Sequence, residues 1–431
     1  MRAALAMLAS VDVILPLVML APGPRLRNVS RLAGAALALL LAAGHARAAD
    51  PPDLRCEQEP GNRFFWTEWG FCDLTAHGPG RARGIVIWNH GISGTNEQYK
   101  APPALVFRLL HARGWDVIKI ARNNLGETSR DLSLSRATER TEAEIRAQLR
   151  RGYRRVVLAG QSFGAYIALE TAAGARDVFA AVAMAPGVTV RGGVERIDPS
   201  ITERLLQESK AARLALVLPP GDALFDNRVR GPGALRILAR RGEPFLLVDE
   251  TATAISGHGG GTGGRFALRY GPCLADFLSA ESTPGRFVCP EGREGEAARD
   301  LVLGGASPRA VPLAAIPAAW APYNGLWYGL LGETFVVTGI VQDGSGAPRL
   351  LYRALASRST GGLYLPRVEE GRLHATLGSA GSRAPSLRLV AGFGAGLELA
   401  WTSADGQRVL RGRLAPLGPA EPGHAIAPPA N

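Results

Sequence analysis

Residues 155–174 read RVVLAGQSFGAYIALETAAG. The opening RVVLAG (155–160) is short, apolar and rich in branched residues, as a strand buried on both faces must be. From about Gly164 to Ala173 the residues are good helix formers. Between the two stands Gly160-Gln161-Ser162-Phe163-Gly164. A serine at the centre of a sharp strand-to-helix turn is forced into a strained backbone conformation, and its hydroxyl projects above the sheet. Only glycine-sized neighbours on either side avoid collision with the adjoining backbone. In a chain with 53 glycines a bare G-x-S-x-G can arise by chance. Placed between a buried strand and a helix, it reads as a nucleophile elbow, and the competing reading is a structural Gly-Ser turn.

Around this stretch, strands and helices alternate from Gly84 to about Phe277. GIVIWNH (84–90), WDVIKI (115–120), FAAVAMA (179–185), LALVLP (214–219) and PFLLVDE (244–250) are apolar strand candidates. Helices are expected near 101–112, 138–151 and 200–212. The alternation predicts an α/β domain, a mostly parallel sheet flanked by helices. RFFWTEWGFCDL (63–74) is aromatic and partly alternating, and is expected to form an antiparallel hairpin at one sheet edge.

The elbow in this setting resembles an α/β-hydrolase over about residues 84–280, and within that superfamily the compact esterase and dienelactone-hydrolase-like branches. The resemblance implies a serine, then an acid, then a histidine in chain order. It puts the general base at His258, in the glycine-rich SGHGGG loop after PFLLVDE. Elimination agrees: His45 lies in the N-terminal leader, His77 precedes the core, His90 and His111 precede the serine, and His374 and His424 are C-terminal. A surface loop histidine is the alternative. Asp222, directly after LALVLPPG, can accept the imidazole N–H and hold the tautomer. Asp226 is the second candidate acid, and Asp222 could instead cap a nearby helix. The oxyanion N–H groups are expected from Phe163 and from the loop Asn89-His90-Gly91-Ile92, with Ile92 first and Gly91 second. That loop lacks the longer His-Gly-Gly-Gly form, which disfavours an esterase for bulky tertiary alcohols.

The implied activity is cleavage of a carboxylic ester through an acyl-enzyme, on a small or polymer-terminal substrate, since only a short cap fits between Ala185 and Pro219. A peptidase or amidase would use the same triad. A non-catalytic envelope binding protein on a hydrolase scaffold is the alternative from another class. No cofactor or metal is expected. GHGGGTGG (257–264) has no lysine after it, no H-E-x-x-H occurs, and no His, Cys and carboxylate cluster has metal-ligand spacing.

Past the hydrolase-like domain (49–290), Pro- and Gly-rich sequence suggests a linker (291–321), then a β-rich domain (322–416) and a loose tail (417–431). GLWYGLL, TFVVTGIV, RLLYRAL, GLYLPRV, RLHATL, SLRLVA, GLELAWT and RVLRGRL are strand-like. Asp343-Gly344, Glu370-Gly371 and Asp405-Gly406 supply hairpin turns. A small antiparallel barrel or sandwich is expected. Gly325-Leu326-Trp327 resembles the Gly-x-Trp that opens lipocalin-type barrels, but three residues are a short pattern and a packing tryptophan in an ordinary sandwich is the favoured account. Since every candidate catalytic group precedes the linker, this domain is expected to be separable from the chemistry.

At the N-terminus, LAGAALALLLAA (32–43) follows Arg31 and precedes Ala46-Arg47-Ala48. This reads as a secretory signal peptide within 1–48, cleaved before Ala49, which places the protein in the periplasm or outside the cell. Asp12 and Pro16 argue against residues 3–21 as a membrane anchor, and a true start nearer Val29 would account for the extra length. The mature chain is therefore expected to carry no transmembrane span, a retained N-terminal anchor being the alternative. Four cysteines in an exported chain suggest the disulfides Cys56–Cys72 and Cys273–Cys289, with buried free thiols as the alternative. The net charge of +11 falls to +7 without the leader, which holds five arginines and one aspartate. The arginines are dispersed and no basic run carries interleaved aromatics, which excludes a nucleic-acid binder.

Overall fold

The computed structural model describes residues 64–92, 98–123, 130–187, 199–280, 284–303, 315–343, 345–355, 359–378, 383–392 and 396–417. The expected leader, Cys56 and residues 418–431 lie outside these. Two sheets organise the rest. The first runs β1 (Phe65–Trp69), β3 (Trp115–Arg122), β2 (Gly84–Asn89), β4 (Val156–Gln161), β5 (Ala180–Met184), β6 (Leu214–Val217), β7 (Phe245–Val248) in spatial order. All pairings are parallel except that of the edge strand β1 with β3.

The strands are buried throughout because each side has its own core. Val86, Trp88, Val157, Ala159 and Val182 face one cluster with α1 (Leu105–Ala112), α6 (Gly264–Ser279) and α7 (Glu294–Leu303). Ile85, Ile87, Val156, Leu158 and Ala181 face the other. That side is covered by α2 (Arg130–Arg150), α3 (Phe163–Gly174), α4 (Pro199–Glu208) and α5 (Asn227–Arg241). The period-2 split is what an apolar run with no polar face requires.

Two expectations change here. The stretch 63–74 is one edge strand, not a hairpin. After Gly70 the chain turns off the sheet, Phe71 enters the core, and Asp73 takes both guanidinium arms of Arg108 on α1 at 2.8 and 2.7 Å. The segment expected as linker contains α7, anchored by buried Ala297, Ala298 and Leu301. Arg113 joins Asp276, Glu296 and Asp300 across α1, α6 and α7. Cys273 and Cys289 are bonded, tying α6 to the segment before α7. Cys72 has no free thiol.

The second sheet is antiparallel and nine-stranded, in the order β11-β10-β9-β8-β16-β15-β14-β13-β12. Its strands are β8 (Gly325–Leu331), β9 (Thr334–Gln342), β10 (Pro348–Leu355), β11 (Ser359–Tyr364), β12 (Arg367–Glu369), β13 (Arg372–Thr376), β14 (Ser386–Ala391), β15 (Leu397–Thr402) and β16 (Val409–Pro416). Each strand pairs with its chain neighbour, and β16 returns to β8, so this is one curled sheet and not a two-sheet sandwich. β11 pairs with β10 and β12 with β13, and these two strands form the outer edges of the sheet. GLYLPRV is broken there at Leu365-Pro366, where proline has no N–H for a ladder. Glu370 and Gly371 both have positive φ, 51° and 71°, as a two-residue turn of the hairpin type requires. The interior is filled by Val336, Ile340, Leu350, Tyr352, Leu373, Leu387, Leu389 and Leu399. Trp327 packs half-buried against it and its indole N–H donates to Asn324 O at 3.1 Å.

β9 is buried on both faces. Val336 and Ile340 point into the curled sheet, while Phe335, Val337 and Val341 join the core of α1 and α6. Gly264 N–H donates to Glu333 O at 2.9 Å, and Arg265 Nε meets Glu333 Oε1 at 2.8 Å. The two domains therefore share a core. Truncation after Leu303 would remove the β9 side chains Phe335, Val337 and Val341 from the core they share with α1 and α6, so the truncated protein is expected to aggregate on expression. A soluble, monomeric fragment with cooperative unfolding in calorimetry would contradict this.

Candidate active site

The turn from β4 into α3 has the geometry demanded of an elbow. Ser162 has φ 55° and ψ −122°, a region L-residues rarely occupy. Its N–H donates to Met184 O at 2.9 Å, and its carbonyl accepts from Tyr166 N–H and Gly187 N–H at 3.0 and 3.1 Å. These bonds hold the strain in place. A methyl group on Gly160 would strike the Gly164 carbonyl, and one on Gly164 would strike Asn89 O at the end of β2. Both glycines are needed for close backbone approach.

Asp222 and His258 come together 36 residues apart, from the loops after β6 and β7. Asp222 Oδ2 lies 2.9 Å from His258 Nδ1. A carboxylate only accepts, so this contact puts the imidazole proton on Nδ1 and leaves a lone pair on Nε2. Nε2 is buried and has no hydrogen-bond partner among the described residues. The other carboxylate oxygen accepts from Leu224 N–H and Phe225 N–H at 2.9 and 3.3 Å. Gln161, next to Ser162, donates its side-chain amide to His258 O at 3.4 Å. Asp226 goes elsewhere: it is the N-cap of α5, accepting from Arg228 N–H at 3.2 Å. The helix-capping role considered for Asp222 thus belongs to Asp226.

The oxyanion loop is held from beneath. His90 is fully buried, with Nδ1–H on Gly91 O at 2.7 Å and Nε2 accepting Arg122 N–H at 3.0 Å. Burial, and then the Arg122 charge, push its pKa well below the usual histidine value, so it stays neutral. The Arg122 guanidinium donates to His90 O and Gly91 O, both at 2.9 Å, and lies 4.9 Å from the Phe163 ring centre. Ile92 packs in one cluster with Phe163. The N–H groups of Phe163, Gly91 and Ile92 make no backbone hydrogen bond among the described residues. The sequence assigned no role to Arg122, nor to Arg230. Buried Arg230 reaches Pro186 O, Thr202 Oγ1 and Asn227 Oδ1 and stacks on Phe225. Burial lowers its pKa to about 10 against the opposing pull of Asp222.

A strained serine after the middle strand β4, an acid after β6 and a histidine after β7, all on the carboxyl side of a parallel sheet, decide the fold. The first domain has the α/β-hydrolase fold. No protein-family model and no curated protein matches the chain. Among solved structures, a CIB-like hydrolase of Thermoplasma acidophilum overlays with TM-score 0.35 and 18% identity, over 50% of this chain and 93% of that one. An esterase of Pyrococcus furiosus overlays with TM-score 0.35 and 13% identity, over 54% and 98%. A dienelactone hydrolase of Klebsiella pneumoniae gives 0.30 and 17%, over 43% and 78%.

Away from the elbow, His77, His111 and Asp116 bring possible metal-ligand atoms within 4.8 Å, a cluster their linear spacing concealed. All three are already engaged. Asp116 accepts from His77 N–H, Gly78 N–H and Tyr153 O–H, and each imidazole Nε2 meets a backbone carbonyl. The rings stack at 4.5 Å, which sets their in-plane lone pairs side by side instead of toward one point. The group ties the loop before β2 to α1.

The elbow makes opposite predictions for two of its residues. Gly164→Ala should lower stability by about 3 kcal/mol or more, because the obstacle is backbone. Ser162→Gly should raise it by about 1 kcal/mol, since glycine tolerates the positive φ. Thermal denaturation of both checks this. Equal effects would mean that the turn is not strained in this way.

Proposed function

We propose that the protein is an exported serine hydrolase that cleaves a carboxylic ester through an acyl-enzyme. The observation that carries the reading is the pairing of Asp222 with His258 Nδ1, which leaves an unpartnered Nε2 lone pair in the same site as a strained elbow serine. In the first step His258 Nε2 takes the Ser162 hydroxyl proton as Oγ bonds to the ester carbonyl carbon. The carbonyl π electrons move onto oxygen, where the N–H groups of Phe163 and Ile92, with Gly91 beside them, receive the charge. Collapse breaks the bond to the alcohol, which leaves with the proton from His258. Water then repeats the sequence with His258 as base, releasing the acid and restoring Ser162.

Asp222 orients the imidazole and stabilises the imidazolium, and the Arg230 charge keeps the carboxylate from facing an apolar interior alone. Export is supported by the leader-like sequence and by the Cys273–Cys289 bond, which suits an oxidising compartment. Among the described residues no helix is long and apolar enough to cross a membrane.

Ser162→Ala should cut kcat on an activated ester by roughly 10⁴-fold or more while leaving the unfolding transition in place. Nitrophenyl ester hydrolysis by the purified variant measures this. Activity within about tenfold of wild type would remove Ser162 from the mechanism.

The two acids separate just as sharply. Asp222→Asn should lower kcat by about 10⁴-fold through the wrong imidazole tautomer. Asp226→Ala should cost about 1 kcal/mol of stability with turnover kept. The reverse pattern in steady-state kinetics would reassign the acid.

A further inference from the structure

Beside the elbow lies a cavity of about 300 Å³ walled by both domains. This is near the small end of the roughly 300–1,000 Å³ range of ligand pockets. One wall is Gly91 and Gln161, the neighbours of the elbow serine in space and in sequence. A methyl on Gly91 would meet Gln161 first and then Ser162 Cβ at 3.5 Å, so this wall lies next to the serine. A second wall is apolar and comes from the hydrolase: Trp88 and Pro103. The third comes from the β-domain, with Thr334 at the start of β9 and Leu355 at the end of β10. Glu333 also lines the cavity, but its carboxylate is paired with Arg265. The lining therefore offers apolar surface, the threonines Thr262 and Thr334 and the Gln161 amide, with no unpaired carboxylate to select a cation.

We propose that the β-domain completes the substrate site, and that this cavity takes a compact, uncharged apolar group of the ester. The inference rests on the ester-hydrolase reading above and deepens it. The chain crosses from catalyst to cavity without a linker of its own: the loop carrying His258 runs through Thr262 and Gly263 into α6, and Gly264 N–H is bonded to Glu333 O. A group seated there is held by one domain and cleaved by the other. Whether it is the acyl chain or the alcohol is a matter of which ester bond face meets Ser162, and the experiment has an arm for each.

Two variants change the cavity in opposite directions. Thr334→Trp fills it from a half-buried position, and Leu355→Ala enlarges it. Full-length wild type and variants are assayed on nitrophenyl acetate, hexanoate and dodecanoate, and in parallel on methyl, hexyl and dodecyl acetate. The reaction rate with a small ethyl fluorophosphonate reports the state of the catalytic serine in each. Thr334→Trp is expected to lower the hexanoate-to-acetate ratio of kcat/KM, or the hexyl-to-methyl ratio, by about tenfold or more. Leu355→Ala is expected to raise acceptance of the dodecyl member in the same series. Should the tryptophan variant fail to fold, the alanine variant decides alone. Folded variants that label normally and keep the wild-type chain-length profile in both series overturn the subsite. Wild type that neither labels nor hydrolyses any ester overturns the serine-hydrolase reading, and the subsite with it.

Discussion

The close approach of Gly164 to the end of β2 is the constraint on which the rest of the site depends. Because no side chain separates α3 from Asn89, the first turn of that helix sits directly against the strand that feeds the oxyanion loop. That contact sets the distance between Phe163 and Ile92, and it forces Ser162 into its positive φ. The strain is balanced by ordinary backbone hydrogen bonds from β5, so a local cost of about 1–3 kcal/mol is held by a sheet that buries far more than that.

Buried charge supports the same arrangement from two sides. Arg122 braces the loop at His90 and Gly91 and lies over the ring of Phe163, so one guanidinium touches both segments that carry the candidate oxyanion donors. Arg230 does the comparable work beneath Asp222 and Phe225, whose ring in turn lies 5.4 Å from that of His258. Further out, Lys119 meets Glu68 at 2.6 Å and donates to Tyr99 O and Ala101 O, fixing the segment that leads into the cavity wall. Burial lowers the Lys119 pKa while Glu68 opposes the shift. Removing one member of such a pair is costly because the other is left buried and unpaired.

Much of this was legible in the sequence because the relevant signals are local. The apolar runs of β2 to β7 and the G-x-S-x-G turn are each contained in a short window, and Asp222 and His258 each follow such a strand end in the chain order that the resemblance implies. Asp222 stood out over Asp226 because it follows the strand end directly, and geometry gives the two residues different partners. What stayed hidden depends on contacts between distant segments. Arg122 and Arg230 are two among many dispersed arginines until the fold buries them. The helix α7 hides in a Gly- and Pro-rich stretch, and its three buried apolar residues have meaning only beside α1 and α6. The sharing of a core between the domains did leave a trace. Residues 335–341, FVVTGIV, show no polar alternation, which is the pattern of a strand covered on both faces and not of one with a solvent side.

The central claim is that Ser162 is the group that attacks. It is tested most directly by treating the full-length protein with a fluorophosphonate, digesting it, and locating the adduct by mass spectrometry. A single phosphonylated peptide that contains Ser162 is expected, with no adduct when His258 is replaced by alanine. An adduct on another serine, or an unmodified protein whose unfolding transition is intact, would contradict it.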